Sequence, residues 1–380
     1  MKILLLTSSL NAGGAERVAT TLCNAWAARG DTVTLVPTFS GGGQPFYEVS
    51  DAVELVSLAE QVGTTRKGVA SSVRRLLALR RVIAQRKPDV LVSFLPNVNV
   101  ATILASAFMG IPRIVCERSD PSIRSPRAPW EIACRITYRH ADMLTVQTDA
   151  VAAAVPRRYP GVAQVGVIPN PLPDGILPAR PAGGARRILL SMGRLSEEKQ
   201  IAKLIDAFAE LAPHHPTWDL HVYGDGPLRP ALAAQAQQRG MQERILFQGA
   251  TRQPWQALAG ADAFAMTSRY EGFPNALLEA MATGLPCVAT DCPSGPRDIT
   301  VHGRDALLVP PNDHAALCAA LAELMGNAPL RALLGDKARA SVTSRFGMHA
   351  VLAIWDGFFE QVLSGKTGQP QAGNERGSVA

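Results

Sequence analysis

The chain alternates short apolar runs with longer amphipathic ones, and a Pro/Gly-dense stretch interrupts that alternation near its middle. Short, mostly apolar segments at Ile3–Leu6, Thr32–Val36, Val53–Leu58, Asp89–Phe94, Arg113–Cys116 and Met143–Val146 predict strands. Helical patterns at 14–28, 68–86, 98–109, 129–139 and 148–158 lie between or after them. Strand, helix and strand joined by short connections demand a parallel sheet covered by helices on both faces. The stretch Pro169-Asn-Pro-Leu-Pro-Asp-Gly175, followed by 178–184, reads as a linker. The alternation restarts at Arg186–Met192 and runs to about Val309. The expected fold is therefore α/β, with two Rossmann-like doubly wound domains facing a cleft. The boundaries are 1–175 for the first domain and 185–345 for the second. Helices over 346–363, apolar on one face through Trp355, Phe358 and Phe359, cross back to the first domain, and 364–380 is expected to be a disordered tail.

The net charge of +6 is not evenly spread. Residues 1–175 hold 19 Lys and Arg against 13 Asp and Glu, whereas the remainder holds 19 of each. A basic first half suggests an anionic partner there. Arg66-Lys67, Arg74-Arg75, Arg80-Arg81 and Arg86-Lys87 recur along one amphipathic helical stretch with no acid among them. That pattern suits an anionic membrane surface or a polyphosphate. Without interleaved aromatics it does not suit nucleic acid. The six cysteines lack paired spacing and predict buried reduced thiols rather than zinc ligands, as expected of a cytoplasmic chain. No apolar run is long enough to span a bilayer, so membrane contact is expected to be peripheral.

Candidate chemistry concentrates at strand ends. After the run Ala263–Met266 comes Glu271-Gly-Phe-Pro-Asn-Ala-Leu-Leu-Glu279. Gly272 and Pro274 turn the chain, and a helix begins near Asn275. Two carboxylates then approach a helix start whose free N–H groups can hold an anion or sugar hydroxyls. Gly193-Arg194-x4-Lys199 follows the first strand of the second domain and can clamp a diphosphate, Arg as a planar fork and Lys as a point charge. Gly13 and Gly14 follow the first strand of all, and Gly224 ends another in Val222-Tyr-Gly-Asp-Gly-Pro227. Glu117, Arg118 and Asp120 end a strand on the cleft side of the first domain.

Taken in order, these four segments resemble the large retaining glycosyltransferase family of GT-B fold known as family 4, over roughly residues 1–363. The resemblance implies a nucleotide-sugar donor, most often a UDP-hexose or UDP-N-acetylhexosamine. It implies that Glu271 acts near the reacting centre, that Glu279 holds the ribose, and that Arg194 and Lys199 neutralise the departing diphosphate. Gly13, Gly14, Gly224, Gly272, Phe273, Pro274 and Asn275 complete the donor pocket. It implies no metal and no cofactor. Many relatives carry a His in the first-domain cleft loop where this chain has Cys116-Glu117-Arg118-Ser119-Asp120, so Glu117, Arg118 and Asp120 become acceptor-side candidates. The Glu117-Arg-Ser-Asp-Pro121 segment and the Gly13-Gly-Ala-Glu-Arg-Val18 start resemble members that extend lipid-linked oligosaccharides for bacterial surface polysaccharides or protein glycans. A polyprenyl-diphosphate-linked acceptor at the inner face of the membrane would suit Arg74, Arg75, Arg80 and Arg81. A UDP-sugar epimerase of the same fold and a non-catalytic sugar-nucleotide binder are the competing readings.

Overall fold

The computed structural model describes residues 1–39, 44–63, 69–118, 128–176, 178, 186–301 and 304–367. Two parallel sheets form. The first contains β1 (Lys2–Thr7), β2 (Thr32–Pro37), β3 (Val53–Leu55), β4 (Val90–Phe94), β5 (Arg113–Cys116), β6 (Met143–Val146) and β7 (Val165–Val167), in the order β3-β2-β1-β4-β5-β6-β7. The second contains β8 (Arg187–Met192), β9 (Trp218–Tyr223), β10 (Ile245–Gly249), β11 (Ala263–Met266), β12 (Cys287–Thr290) and β13 (Leu307–Val309), in the order β10-β9-β8-β11-β12-β13. Strands such as β4, β6, β11 and β12 are buried at every position, which is why they read as largely apolar runs broken only by Ser93, Thr145 and Thr290. Chain order reverses between β1 and β4 and again between β8 and β11. Those two switch points are where doubly wound sheets bind ligands.

Some boundaries differ from expectation. The run Val53–Leu58 is a strand only to Leu55, because Leu58 starts a short helix, Leu58–Val62, and buries its own side chain. The helix expected over 98–109 is Pro96–Ala105, and Phe108 beyond it has a left-handed φ of 63°. Strand β7 had no legible signature: it is three residues long and contains Gly166. A Cβ at Gly166 would lie 2.5 Å from the Phe358 ring, so the glycine lets that ring rest on the sheet.

Phe358 belongs to the last helix, Met348–Thr367, which packs on the first domain. Val351, Trp355, Phe359 and Val362 enter the core formed around Leu5, Leu22 and Trp26. Trp26 meets Trp355 edge to face at 5.4 Å. Residues 368–380, most of the expected tail, lie outside the described residues, as do 179–184 of the linker and Arg66-Lys67 of the basic stretch. Among the described residues no single helix is long and apolar enough to cross a membrane. One bent pair, His314–Gly326 with Ala328–Phe346, has the apolar length, but Leu317, Leu321, Leu324, Leu334 and Val342 are buried within the protein.

Candidate active site

A cleft of about 570 Å³ lies between the domains at the carboxyl ends of the strands. Gly13, Gly14 and Arg118 line its first-domain wall. Gly193, Arg194, Lys199, Gly224 and Glu271–Ala276 line the second-domain wall. The helices Gly14–Ala28 and Asn275–Thr283 thus bring their N-termini to one space from opposite sides. Their first-turn N–H groups lack helical acceptors and carry the positive ends of two helix dipoles. The walls touch: the Asn275 side chain donates to the Gly14 carbonyl at 3.3 Å.

Glu271 follows β11 and is fixed at three points. Its Oε1 accepts from Lys199 Nζ at 2.6 Å and from Ser268 Oγ at 2.6 Å, and its carbonyl accepts from Ser294 Oγ. Oε2 receives no hydrogen bond from the described residues. Lys199 is held in turn: Thr267 Oγ1 donates to its carbonyl at 3.0 Å, and Gln200 takes a left-handed φ of 50° that sends the chain into the helix Ile201–Leu211. Arg194 is exposed in the cleft and forms no ion pair with a described residue. One free guanidinium beside one carboxylate-paired ammonium can neutralise a diphosphate without competing for one counter-ion.

Gly224 lies where the β9 turn passes the β8 turn. Its N–H donates to Gly249, its φ is 129°, and a Cβ there would fall 1.9 Å from the Gly193 carbonyl oxygen. The glycine lets two backbone segments close together, and that contact positions the Gly193–Arg194 turn.

Four expectations need correction. Glu279 does not open into the cleft. It is 4% exposed, and Arg17 of the first domain pairs with its Oε1, because the first turn of the opposite helix brings the guanidinium across. Burial outweighs that pairing and pushes the carboxyl up to about 7. Phe273 turns its ring into the second-domain core against Phe346 at 5.5 Å, so only its backbone reaches the cleft. Glu117 is buried behind the wall, accepting from the Tyr138 hydroxyl in a cluster with Asn99 and Ser93. Arg75 is 8% exposed and stacks on Phe39, leaving Arg74, Arg80 and Arg81 exposed on their helix. Arg80 also donates to the carbonyls of Ala105 and Ala107, both at 2.9 Å. Asp120 lies outside the described residues.

Sequence reasoning missed Arg17 and Asn170. Asn170 sits between two prolines in the presumed linker, yet it is 3% exposed and joins the domains. Its Nδ2 donates to Asn275 Oδ1 at 2.5 Å, and its Oδ1 accepts from Gln147 at 2.7 Å and Arg118 at 3.1 Å. A lone polar residue inside a proline run was the available signal. All six cysteines are free and buried. Cys318 groups with His314 and Glu210 closely enough to hold an ion, and none of the three lines the cleft.

The Glu117 carboxyl is pushed up to about 7 by burial, which outweighs the Tyr138 hydroxyl and Arg158. Between the ordinary carboxyl range and that value the folded chain keeps a proton that the unfolded chain releases. Stability therefore falls as pH rises through this window and is level on either side. The Glu117→Gln variant is expected to lose a drop of up to roughly 3 kcal/mol, while the similar fall from Glu279 persists. Thermal midpoints measured from pH 4 to 8 check this; curves of equal slope would refute it.

Comparison with known proteins places these features in a lineage. Residues 12–174 match the model described as Glycosyltransferase Family 4, and residues 178–341 match Glycosyl transferases group 1. The chain is a GT-B glycosyltransferase. It is 29% identical to an exopolysaccharide phosphotransferase of Streptomyces coelicolor over 96% of its own length, although it spans only 41% of that longer protein. It is 26% identical to a Campylobacter jejuni α-1,4-N-acetylgalactosaminyltransferase acting on an undecaprenol-diphosphate-linked glycan, over 89% of this transferase and 93% of that one. The fold matches S. aureus TarM, crystallised with UDP and α-GlcNAc-glycerol, with a TM-score of 0.80 and 13% identity over 94% of this chain and 100% of that one.

Proposed function

We propose that this transferase moves a hexose or N-acetylhexosamine from a UDP-sugar to a polyprenyl-diphosphate-linked glycan, with retention of anomeric configuration and without a metal. The observation that carries the reading is the convergence of two helix N-termini, Arg194 and Lys199 on one cleft, with Glu271 at its wall. Breaking a sugar–phosphate bond builds positive charge at the anomeric carbon and negative charge on the leaving diphosphate. Arg194, Lys199 and the free N–H groups are placed for the second charge. Glu271, with Oε2 free, holds a donor-sugar hydroxyl and keeps Lys199 oriented. Attack on the face the diphosphate leaves lets a departing phosphate oxygen take the acceptor proton, so no protein nucleophile is needed. The Campylobacter relative and the TarM complex support this, since both names carry an α-linked N-acetylhexosamine and one carries a lipid diphosphate.

A panel of nucleotide sugars scored by thermal shift identifies the donor, since bound donor raises stability by mass action. The winning donor is then incubated with a lipid-diphosphate glycan and chelator, and the product anomer is read by NMR. Inverted product would end the retention reading, and loss of turnover with chelator would end the metal-free one. Product without any acceptor would mean an epimerase or hydrolase.

The acceptor side is proposed to meet the inner face of the membrane. Exposed Val73 and Leu77 share a helix with Arg74 and Arg81, and the neighbouring helices expose Leu104, Trp130, Ile132 and Ile136. Apolar side chains among cations suit an anionic bilayer. Reversing Arg74 and Arg81 to Glu is expected to weaken partition onto anionic vesicles by roughly a hundredfold, and unchanged flotation would refute it.

A further inference from the structure

We propose that Arg118 is a specificity-determining residue that receives a negatively charged group of a bound substrate at the first-domain wall of the cleft. That group is a carboxylate on the transferred sugar or a phosphate of the acceptor. The inference rests on the transferase reading above and adds to it the charge of one ligand.

Arg118 follows β5 and lines the cleft, with its guanidinium stacked 3.8 Å from the centre of the Phe94 ring. Nη1 donates to Asn170 Oδ1 at 3.1 Å, a neutral acceptor already shared with Gln147. Nε and Nη2 are buried and have no hydrogen-bond partner among the described residues. These two donors lie on the same edge of the guanidinium, and that edge is the fork that grips a carboxylate or phosphate with two parallel bonds. The fold has engaged the one nitrogen outside the fork and left the fork's two donors buried and unpaired among the described residues.

No described carboxylate forms an ion pair with Arg118. Its neighbour Glu117 points to the opposite side of the strand end and engages Tyr138, as adjacent residues on extended chain must. Burial draws the guanidinium down to about 10, where an adjacent carboxylate would hold it up. A partly desolvated cation with two unmet donors is costly, and an anion arriving from outside the chain relieves that cost.

The position says which part of the substrate is read. Asn170 links Arg118 to Asn275 and also reaches the Phe273 carbonyl at 3.5 Å. Arg118 therefore faces the Glu271–Asn275 segment, where the sugar is transferred, from the wall opposite Arg194 and Lys199.

The test uses the full chain as wild type, Arg118→Met and Arg118→Lys. One arm compares a UDP-hexose with the matching UDP-hexuronate, and the other compares a lipid-diphosphate acceptor with the same glycan on a neutral octyl aglycone. Arg118→Met is expected to lose at least tenfold in kcat/KM for the charged member of one pair and little for its neutral counterpart. The arm that shows the loss identifies the source of the anion. Arg118→Lys recovers only part, because an ammonium lacks the fork. In the ligand-free protein, Arg118→Met should melt at or above the wild-type temperature, since it removes an uncompensated charge. A melting point lower by several degrees would make Arg118 a structural residue, and equal losses on charged and neutral substrates would also overturn the proposal. Absence of transfer by wild type on every pair would defeat the transferase reading instead, and the ligand-free melting comparison would still decide Arg118.

Discussion

Lys199→Ala is expected to lower kcat by roughly 10²- to 10³-fold while changing donor KM much less, the signature of lost charge stabilisation in the transition state. Lys199 has two duties that fail together. Its ammonium faces the space assigned to the leaving diphosphate, and it donates to Glu271 Oε1 at 2.6 Å. Removing it leaves Glu271 held at that oxygen by Ser268 alone. The two side chains act as a unit, so Glu271→Ala should cost a similar factor and the double variant far less than the product of the two. Steady-state kinetics on the donor found by thermal shift supplies all three numbers. Strict additivity would show that Lys199 and Glu271 act separately, and a Lys199→Ala enzyme with near-normal kcat would remove Lys199 from the chemistry. Lys199→Arg should recover part of the rate, because it restores charge but cannot reproduce the compact geometry of the pair.

The second large effect is on stability. Gly224→Ala should destabilise the protein by roughly 2–4 kcal/mol, a large share of the stability of an ordinary domain. The new methyl would stand 1.9 Å from the Gly193 carbonyl oxygen, and its φ of 129° is one that alanine rarely adopts. Both partners are backbone, so no flexible side chain can give way. The turn carrying Arg194 must shift, and donor KM should rise with the loss of stability. Gly240→Ala is the control. It also has positive φ, at 67°, but a Cβ there meets nothing within 4 Å, so backbone preference alone limits its cost to about 1 kcal/mol. Denaturant titration of both variants separates steric from conformational cost. Equal losses would show that the close approach is not the cause.

These residues also show what a sequence can carry. Buried strands such as Ala263–Met266 announce themselves because both faces are covered, so every position is apolar. Glu271 was legible because its neighbours Gly272 and Pro274 dictate a turn at a strand end. The burial of Glu279 was not legible because its partner, Arg17, lies 262 residues away on the other domain, and no local pattern encodes that meeting. Asn170 was hidden for the same reason. Phe273 stands within a loop of ligand-facing residues, and only the packing of Phe346 beneath it decides that its ring turns inward. Arg74 and Arg75 are indistinguishable by composition, yet helical geometry exposes one and buries the other against Phe39. Local chemistry wrote the strands and turns, while contacts between distant segments decided which polar groups stayed free.

The return of the last helix to the first domain sets a timetable for synthesis. Trp26 leaves the ribosome before the second domain is made, whereas Trp355 and Phe359, which cover it, follow that domain. The nascent first domain must wait with an uncovered apolar face while the whole second domain is translated, a delay of tens of seconds at ordinary elongation rates. Synthesis of the last helix, rather than completion of the first sheet, is the event that closes this core.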